Sequence, residues 1–167
     1  MGGYLALRLA DRHPDRLAAL VLADTGAGAD GDADRAARNQ RIAMVTDQGV
    51  GPLVDALLPR LLGPTATPEV ETEVRRIAGE QTRAGVTAAL AAMRDCPDST
   101  SLLTQIRVPA LVVVGADDAL TPPSVARSIA EALPHDRLRA IPGAGHLSAI
   151  EAPDAFARAL VELLDEL

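Results

Sequence analysis

Acidic and imidazole side chains follow two predicted strands of this chain, and together they could transfer protons. Asp117 and Asp118 come just after the apolar run Ala110 to Gly115, and His146 comes just after a short strand predicted at Arg137 to Ile141. A carboxylate that binds one ring nitrogen of a histidine fixes its tautomer and leaves the other nitrogen to accept a proton from a nucleophile. Either aspartate could be that partner, with the other capping the turn. Each residue alone is more often structural, so the hypothesis depends on their joint occurrence.

The elements around these residues predict that they lie at one edge of a parallel sheet. Ala110 to Gly115 is rich in β-branched residues, which is typical of a strand buried on both faces. A helix is predicted at Ser124 to Leu133, with Thr121 as its cap, before the strand at Arg137 to Ile141. A strand-helix-strand crossover makes its two strands parallel. Because functional groups gather at the carboxyl ends of such strands, the acidic turn and the histidine are expected on the same rim.

Apolar segments at both ends of the chain complete the predicted core. Met1 to Ala10 is apolar almost all round, which predicts a buried helix, and its paired glycines permit a close backbone approach. Leu17 to Ala23 is a second uninterrupted apolar run and predicts another buried parallel strand. The last segment, Asp154 to Leu167, predicts a closing helix whose buried side is formed by Phe156, Leu160, Val161 and Leu164.

The middle of the chain lacks strand signals and predicts a block of helices. Its apolar spacing indicates helices at Arg35 to Val45, Val50 to Leu62, Pro68 to Gln81 (with Thr67 as cap) and Ala84 to Arg94. This block is too long for a simple crossover between parallel strands, so we expect it to form a cap or lid. The fold class is therefore α/β, a short parallel sheet flanked by helices, with a core at residues 1–28 and 101–167 and a helical cap at 29–100.

Composition restricts the partners that this chain could have. Its 167 residues have the size of one domain, and a formal net charge of -7 disfavours nucleic acid and anionic membrane surfaces. No apolar stretch is long enough to span a bilayer. The single cysteine, Cys96, excludes an internal disulfide, and the histidines have no ligand spacing, so we expect no metal site and a cytoplasmic protein.

Two of these motifs resemble the α/β-hydrolase superfamily, in particular its cap-bearing, esterase-like members. The stretch from Val108 to Pro123 is similar to the family's seventh strand and acid turn, and the stretch from Pro142 to Pro153 is similar to its histidine loop. The resemblance implies that Asp118, rather than Asp117, is the catalytic acid and that His146 is the base. It also implies a partial α/β-hydrolase fold and a reaction that needs no cofactor.

The start of the chain resembles a third motif of the family, the nucleophile elbow Gly-x-Ser-x-Gly. Met1-Gly2-Gly3-Tyr4 is similar to the residues directly after the serine, which implies that the nucleophile is absent from this chain. The backbone N–H of Met1 would then belong to the oxyanion hole. None of the serines of this chain is expected on an elbow; these are Ser99, Ser101, Ser124, Ser128 and Ser148.

The resemblance implies hydrolysis of a small-molecule ester or related acyl substrate by a Ser-His-Asp triad in a longer parent protein. Without its nucleophile, this chain alone is expected to be inactive, because losing the serine of a triad costs on the order of a millionfold in turnover. One alternative is a non-catalytic binding module that forms homo-oligomers through an exposed sheet edge. Another is cofactor-free haloperoxidase or lyase chemistry of the same family.

Overall fold

Two compact units make up this protein. The computed structural model describes residues 1–135, 137–165 and 167. The sheet unit comprises Met1–Ala27, Arg60–Ala66 and Asp98–Leu167, and the helical unit comprises Gly28–Pro59 and Thr67–Pro97. The division differs from the predicted cap at 29–100 by one to three residues at its ends and in one internal segment, since Arg60–Ala66 packs with the sheet unit. The backbone of this segment binds the loop of His146, since the carbonyl of Leu61 accepts the His146 N–H. The role of the helical unit as a cap stays a prediction.

Three parallel strands form the sheet in the order β1-β2-β3. They are β1 (Leu20–Ala23), β2 (Ala110–Gly115) and β3 (Leu138–Ile141), with Leu20 opposite Ala110 and Val112 opposite Leu138. The predicted parallel pairing of the two strands that precede Asp118 and His146 is thus confirmed. The strand predicted from Leu17 starts only at Leu20, because a 3-10 turn at Pro14–Arg16 occupies the approach.

The helices follow from the apolar periodicity of the chain and from its prolines and glycines. In chain order they are α1 (Gly2–Arg12), α2 (Asp32–Gln48), α3 (Val50–Leu61), α4 (Pro68–Gly79), α5 (Arg83–Arg94), α6 (Thr100–Leu103), α7 (Pro123–Ala132), α8 (Ser148–Glu151) and α9 (Pro153–Leu164). The closing helix was expected to reach Leu167, and position 166 of that prediction lies outside the described residues. The structure ends α9 at Leu164.

The core of the sheet unit lies on both faces of β2, whose six residues are all buried. Val112 faces one side with α1 and α7, where Leu7 and Ile129 pack beside it. Val113 faces the other side with α9 and packs near Leu163. Successive side chains of a strand point to opposite faces, so a continuous apolar run supplies both cores. β2 is therefore the rigid base from which the loop of Asp118 leaves.

The exposed faces of α1 and α9 differ from expectation. In α1, Leu7 is fully buried but Leu5 is 63% exposed, so the helix is not buried all round. In α9, Leu163 is buried while Val161 and Leu164 are 52% and 61% exposed, so their predicted burial was wrong. The buried stripe of α9 runs instead through Phe156, Ala159, Leu160 and Leu163.

The helical unit has a small core of its own. Val45 of α2, Leu53 of α3 and Leu90 of α5 are buried together. The predicted cap of α4 is present, since the Thr67 side chain accepts a hydrogen bond from the Val70 amide. These contacts give the unit internal support independent of the sheet.

Among the described residues, both edges of the sheet, at β1 and at β3, lack a further strand. β1 pairs only with β2 among them, and self-association through its other edge stays a prediction. None of the helices in residues 1–135 and 137–165 has both the length and the apolar character needed to cross a bilayer.

Candidate active site

Asp118 and His146 meet in the loops that follow β2 and β3. The Nδ1 atom of His146 lies 2.9 Å from Oδ2 of Asp118. The Asp118 side chain is fully buried, whereas the imidazole is 23% exposed. Parallel neighbours end at the same edge of the sheet, and this geometry brings together two loops that are distant in sequence. The pair therefore joins a hidden carboxylate to an imidazole that reaches the surface.

Four donors surround the Asp118 carboxylate. Oδ1 accepts the backbone N–H groups of Leu120 and Thr121 at 2.7 and 2.9 Å. Oδ2 accepts the Thr121 hydroxyl at 2.7 Å and faces the His146 ring. Burial raises the pKa of Asp118, but the hydrogen bonds from His146, Thr121 and Leu120 outweigh it and hold the pKa below its usual value. The carboxylate is thus kept ionised beside the imidazole.

Thr121 determines which ring nitrogen of His146 carries the proton. Its hydroxyl donates to Asp118, so its oxygen can only accept from Nδ1 of His146, which lies 3.2 Å away. Both neighbours of Nδ1 are acceptors, and we therefore assign the neutral ring as the Nδ1–H tautomer. Nε2 is left with a lone pair that can accept a proton. Thr121 was expected to cap a helix; instead α7 begins after Pro122 without a side-chain cap.

Asp117, the competing aspartate, makes no hydrogen bond or ion pair with the histidine ring within the part of the chain that the structure describes. Its side chain is exposed, and its backbone N–H donates to the carbonyl of Ala144 at 2.9 Å. Asp118 both closes the acidic turn and contacts His146. The two tasks that the sequence divided between two aspartates therefore fall on one.

A cavity of about 280 Å³ opens beside the imidazole. Met1, Gly2 and Gly3 line it together with His146 and Asp24. Met1, the predicted oxyanion residue, thus shares a cavity with the predicted base, and its carbonyl starts α1 by accepting the Leu5 amide. A Cβ at Gly3 would overlap the Thr25 side chain, so at least one of the paired glycines is required by a close approach.

No serine belongs to the described residues that line this cavity. Ser148, next but one to His146, is completely buried, and its hydroxyl donates to Asp24 Oδ2 at 2.6 Å. The Ser128 hydroxyl donates to a backbone carbonyl of its own helix. Across residues 1–135, 137–165 and 167, no cluster of three or more His, Cys, Asp or Glu is placed to hold a metal ion.

Asp24 is a site residue that sequence analysis missed. It follows β1 with a φ of 46°, in the left-handed region that aspartate tolerates better than most residues. Its carboxylate accepts the N–H of Gly115 at 2.9 Å and both the N–H and the hydroxyl of Ser148. Burial raises its pKa, although the hydrogen bonds from Ser148 and Gly115 oppose the rise. An aspartate directly after a predicted strand was the available signal.

Glu151 was also missed, and it binds the histidine loop from its other end. Oε1 accepts the backbone N–H groups of Gly145 and Leu147, at 2.9 and 3.2 Å. Oε2 accepts the N–H of Gly63 at 2.6 Å. The residues on both sides of His146 are thereby tied to one carboxylate. Nothing in the spacing of Glu151 distinguishes it from a solvated glutamate.

The chain as a whole is similar to known proteins. The model of a family described as the alpha/beta hydrolase family matches residues 1–159. A thermophilic esterase from Thermogutta terrifontis is 35% identical, with a TM-score of 0.95 over 99% of this chain and 62% of its own. An enol-lactonase from Burkholderia xenovorans LB400 is 30% identical, with a TM-score of 0.87 over 99% of this chain and 63% of its own.

A curated protein that is also named as an esterase is similar to nearly all of this chain. The pimeloyl-acyl-carrier-protein methyl ester esterase of Neisseria meningitidis is 31% identical over 179 aligned positions, which cover 99% of this chain and 56% of that protein. The chain thus spans less than two thirds of the length of each of these three relatives.

Proposed function

The chain belongs to the alpha/beta hydrolase family, and from this premise we propose that Asp118 and His146 are the acid and base of a triad that hydrolyses ester or related acyl bonds. The observation that carries the proposal is the 2.9 Å contact between His146 Nδ1 and the buried, four-fold hydrogen-bonded Asp118 carboxylate. Such a carboxylate stabilises an imidazolium when it forms.

The mechanism follows from the Nδ1–H tautomer of His146, which leaves a lone pair on Nε2. Nε2 of His146 accepts the hydroxyl proton of a nucleophilic serine while the serine oxygen attacks the carbonyl carbon of the substrate. The imidazolium, stabilised by Asp118, then donates that proton to the oxygen of the leaving alcohol, and an acyl-enzyme remains. A water molecule repeats the attack with His146 as base again, which releases the acid and restores the serine.

The nucleophile and the oxyanion hole are assigned from the family resemblance and from the position of the cavity. By resemblance, the serine is the residue directly before Met1 in the whole protein, and the Met1 backbone N–H is one oxyanion donor. Met1 and His146 line the same cavity, which agrees with this assignment. Residues 1–167 on their own would then hold the acid and the base without the attacking group.

We propose an ester as the substrate class, and the names of the three relatives support this proposal. The three relatives are named as an esterase, an enol-lactonase and a methyl ester esterase. Each name refers to cleavage of an acyl-oxygen bond, and the proposed chemistry of His146 and Asp118 suits that reaction.

The test uses p-nitrophenyl acetate and the complete protein, produced by extending this chain with the residues that precede Met1 in its gene. We expect steady release of p-nitrophenol that His146→Ala reduces to near background, whereas His13→Ala, which changes a histidine at the end of α1, leaves it intact. Residues 1–167 alone should release none. Equal turnover by the complete protein and its His146→Ala variant would refute the proposal.

A further inference from the structure

Glu151 gathers three backbone donors that belong to two separate loops. Gly145 and Leu147, the immediate neighbours of His146, donate to Oε1. Gly63, in the segment that follows α3, donates to Oε2. One half-buried carboxylate therefore holds the histidine loop on both sides of the histidine and links it to a third point 88 residues away in sequence.

The segment Arg60–Ala66, here called the strap, lies against the histidine loop at backbone distance. A Cβ at Gly63 would overlap the carbonyl oxygen of Gly143, and a Cβ at Gly145 would lie 2.5 Å from the Gly63 nitrogen. Real Cβ atoms do not approach other heavy atoms this closely. Glycine is required at these positions because two backbones meet with no side chain between them.

Direct hydrogen bonds join the strap to both loops of the candidate site. The backbone N–H of His146 itself donates to the carbonyl of Leu61 at 2.8 Å. The Thr65 hydroxyl donates to the carbonyl of Gly143 at 2.9 Å. On the acidic turn, the Arg60 guanidinium donates to the carbonyl of Ala119 at 3.2 Å. The strap thus contacts the loop of Asp118 as well as the loop of His146.

We propose that Glu151 is a positioning residue which, through the strap, holds the backbone of His146 so that its ring stays against Asp118. Its consequence for catalysis rests on the function proposed above. The hydrogen-bond pattern explains why a carboxylate is needed, since three N–H donors converge on two oxygens that must both accept. A glutamine would direct its NH₂ group at one of those donors.

The test compares Glu151→Gln with Glu162→Gln in the 167-residue chain. Glu162 is an exposed glutamate of α9 that pairs with Arg139, so its change controls for lost charge. Amide hydrogen exchange is measured at Gly63 and Leu147. The exchange of the His146 Hδ1 proton with water is followed by NMR, because that proton reports the bond to Asp118.

We expect Glu151→Gln to speed exchange of both amides and of Hδ1 by about tenfold or more, and Glu162→Gln to leave all three within about twofold. Thr65→Val, which removes one exposed hydrogen bond of the strap, provides a milder second variant that keeps the carboxylate. It should speed Hδ1 exchange in the same direction by a smaller factor. Unchanged Hδ1 exchange in folded Glu151→Gln, or in Thr65→Val if the former does not fold, would overturn the proposal.

Activity separates this proposal from the function on which it rests. In the complete protein, Glu151→Gln should lower kcat between about tenfold and a hundredfold while KM changes little, because a misplaced base affects the chemical step. If the unaltered complete protein hydrolyses no ester while Hδ1 exchange still responds to Glu151→Gln, the proposed function fails and the positioning role stands. If the unaltered complete protein and its Glu151→Gln variant both show normal turnover, and Glu151→Gln leaves Hδ1 exchange unchanged, only the positioning role fails.

Discussion

The Ser148 hydroxyl donates to Oδ2 of Asp24 over 2.6 Å and connects the end of β1 to the start of α8. The Ser148 amide donates to the same oxygen at 3.1 Å, and the Gly115 amide donates to Oδ1. Asp24 therefore ties together the carboxyl ends of β1 and β2 and the segment directly after His146. Ser148 is completely buried and donates both its N–H and its hydroxyl to Asp24, so its role is structural.

Ser148→Ala is expected to lower the free energy of unfolding by about 1–3 kcal/mol, because it leaves a partly buried carboxylate oxygen short of one donor. Urea unfolding measures the change. Ser128→Ala is the matched control, since that hydroxyl is exposed and bonds only within α7, and it should change stability by less than about 0.5 kcal/mol. A loss of ester hydrolysis in folded Ser148→Ala that matches the loss in His146→Ala would contradict the structural assignment.

Asp118→Asn is expected to reduce kcat of the complete protein by about 10⁴-fold, because the amide favours the wrong histidine tautomer. Asp117→Asn changes the exposed neighbouring aspartate and serves as the control. Its activity should stay within about twofold of the unaltered protein. Hydrolysis of p-nitrophenyl acetate by both variants decides the matter, and a comparable loss in Asp117→Asn would reassign the acid.

Asp118 and Asp24 should affect the pH dependence of stability with opposite signs. The pKa of Asp118 is lowered from 3.8, so the unfolded chain binds more protons and its stabilisation is lost as pH falls through that lowered pKa. The pKa of Asp24 is raised from 3.8, so its contribution is present below 3.8 and is lost as pH rises through the raised value.

Urea unfolding between about pH 2 and pH 7 measures both trends. We expect the destabilisation by Asp118→Asn to shrink towards the acid end and the destabilisation by Asp24→Asn to grow there. Asparagine suits the left-handed backbone at position 24, so this change isolates the carboxylate. Parallel pH trends in the two variants would refute the assignment.

Thr82→Ala is expected to destabilise the helical unit by about 1 kcal/mol, because the Thr82 side chain accepts the Gly85 amide at the start of α5. Thr87→Ala is the control in the same helix, where the hydroxyl bonds back to carbonyls of Arg83 and Ala84 and supplies no cap. Amide exchange within α5 reports the difference. Equal exchange in the two variants would show that the cap contributes nothing.

The meeting of Asp118 and His146 could be predicted because it depends on local patterns and on one general rule. The apolar run of β2 indicates a strand buried on both faces, and the following helix makes the next strand parallel. Two residues that follow neighbouring parallel strands must then share an edge. The choice between Asp117 and Asp118 required the family resemblance, because the two aspartates have the same side chain and follow the same strand in the same turn.

The burial of α9 shows the limit of such patterns. Leu160, Val161 and Leu164 form one apolar arc along the sequence, yet Leu163 is buried and Val161 and Leu164 are exposed. A helix with apolar residues on several sides can present more than one of them to a core. Contact with β2 and β3, and not the order of the side chains, selects the face.

Asp24 and Glu151 lay beyond prediction for a different reason. Their partners are mainly backbone N–H groups. Asp24 accepts those of Gly115 and Ser148, and Glu151 accepts those of Gly63, Gly145 and Leu147. Every residue except proline carries the same donor, so no residue type marks where such a bond forms. Side-chain chemistry and period are written along the chain, whereas the choice among identical backbone donors is made only when remote segments pack together.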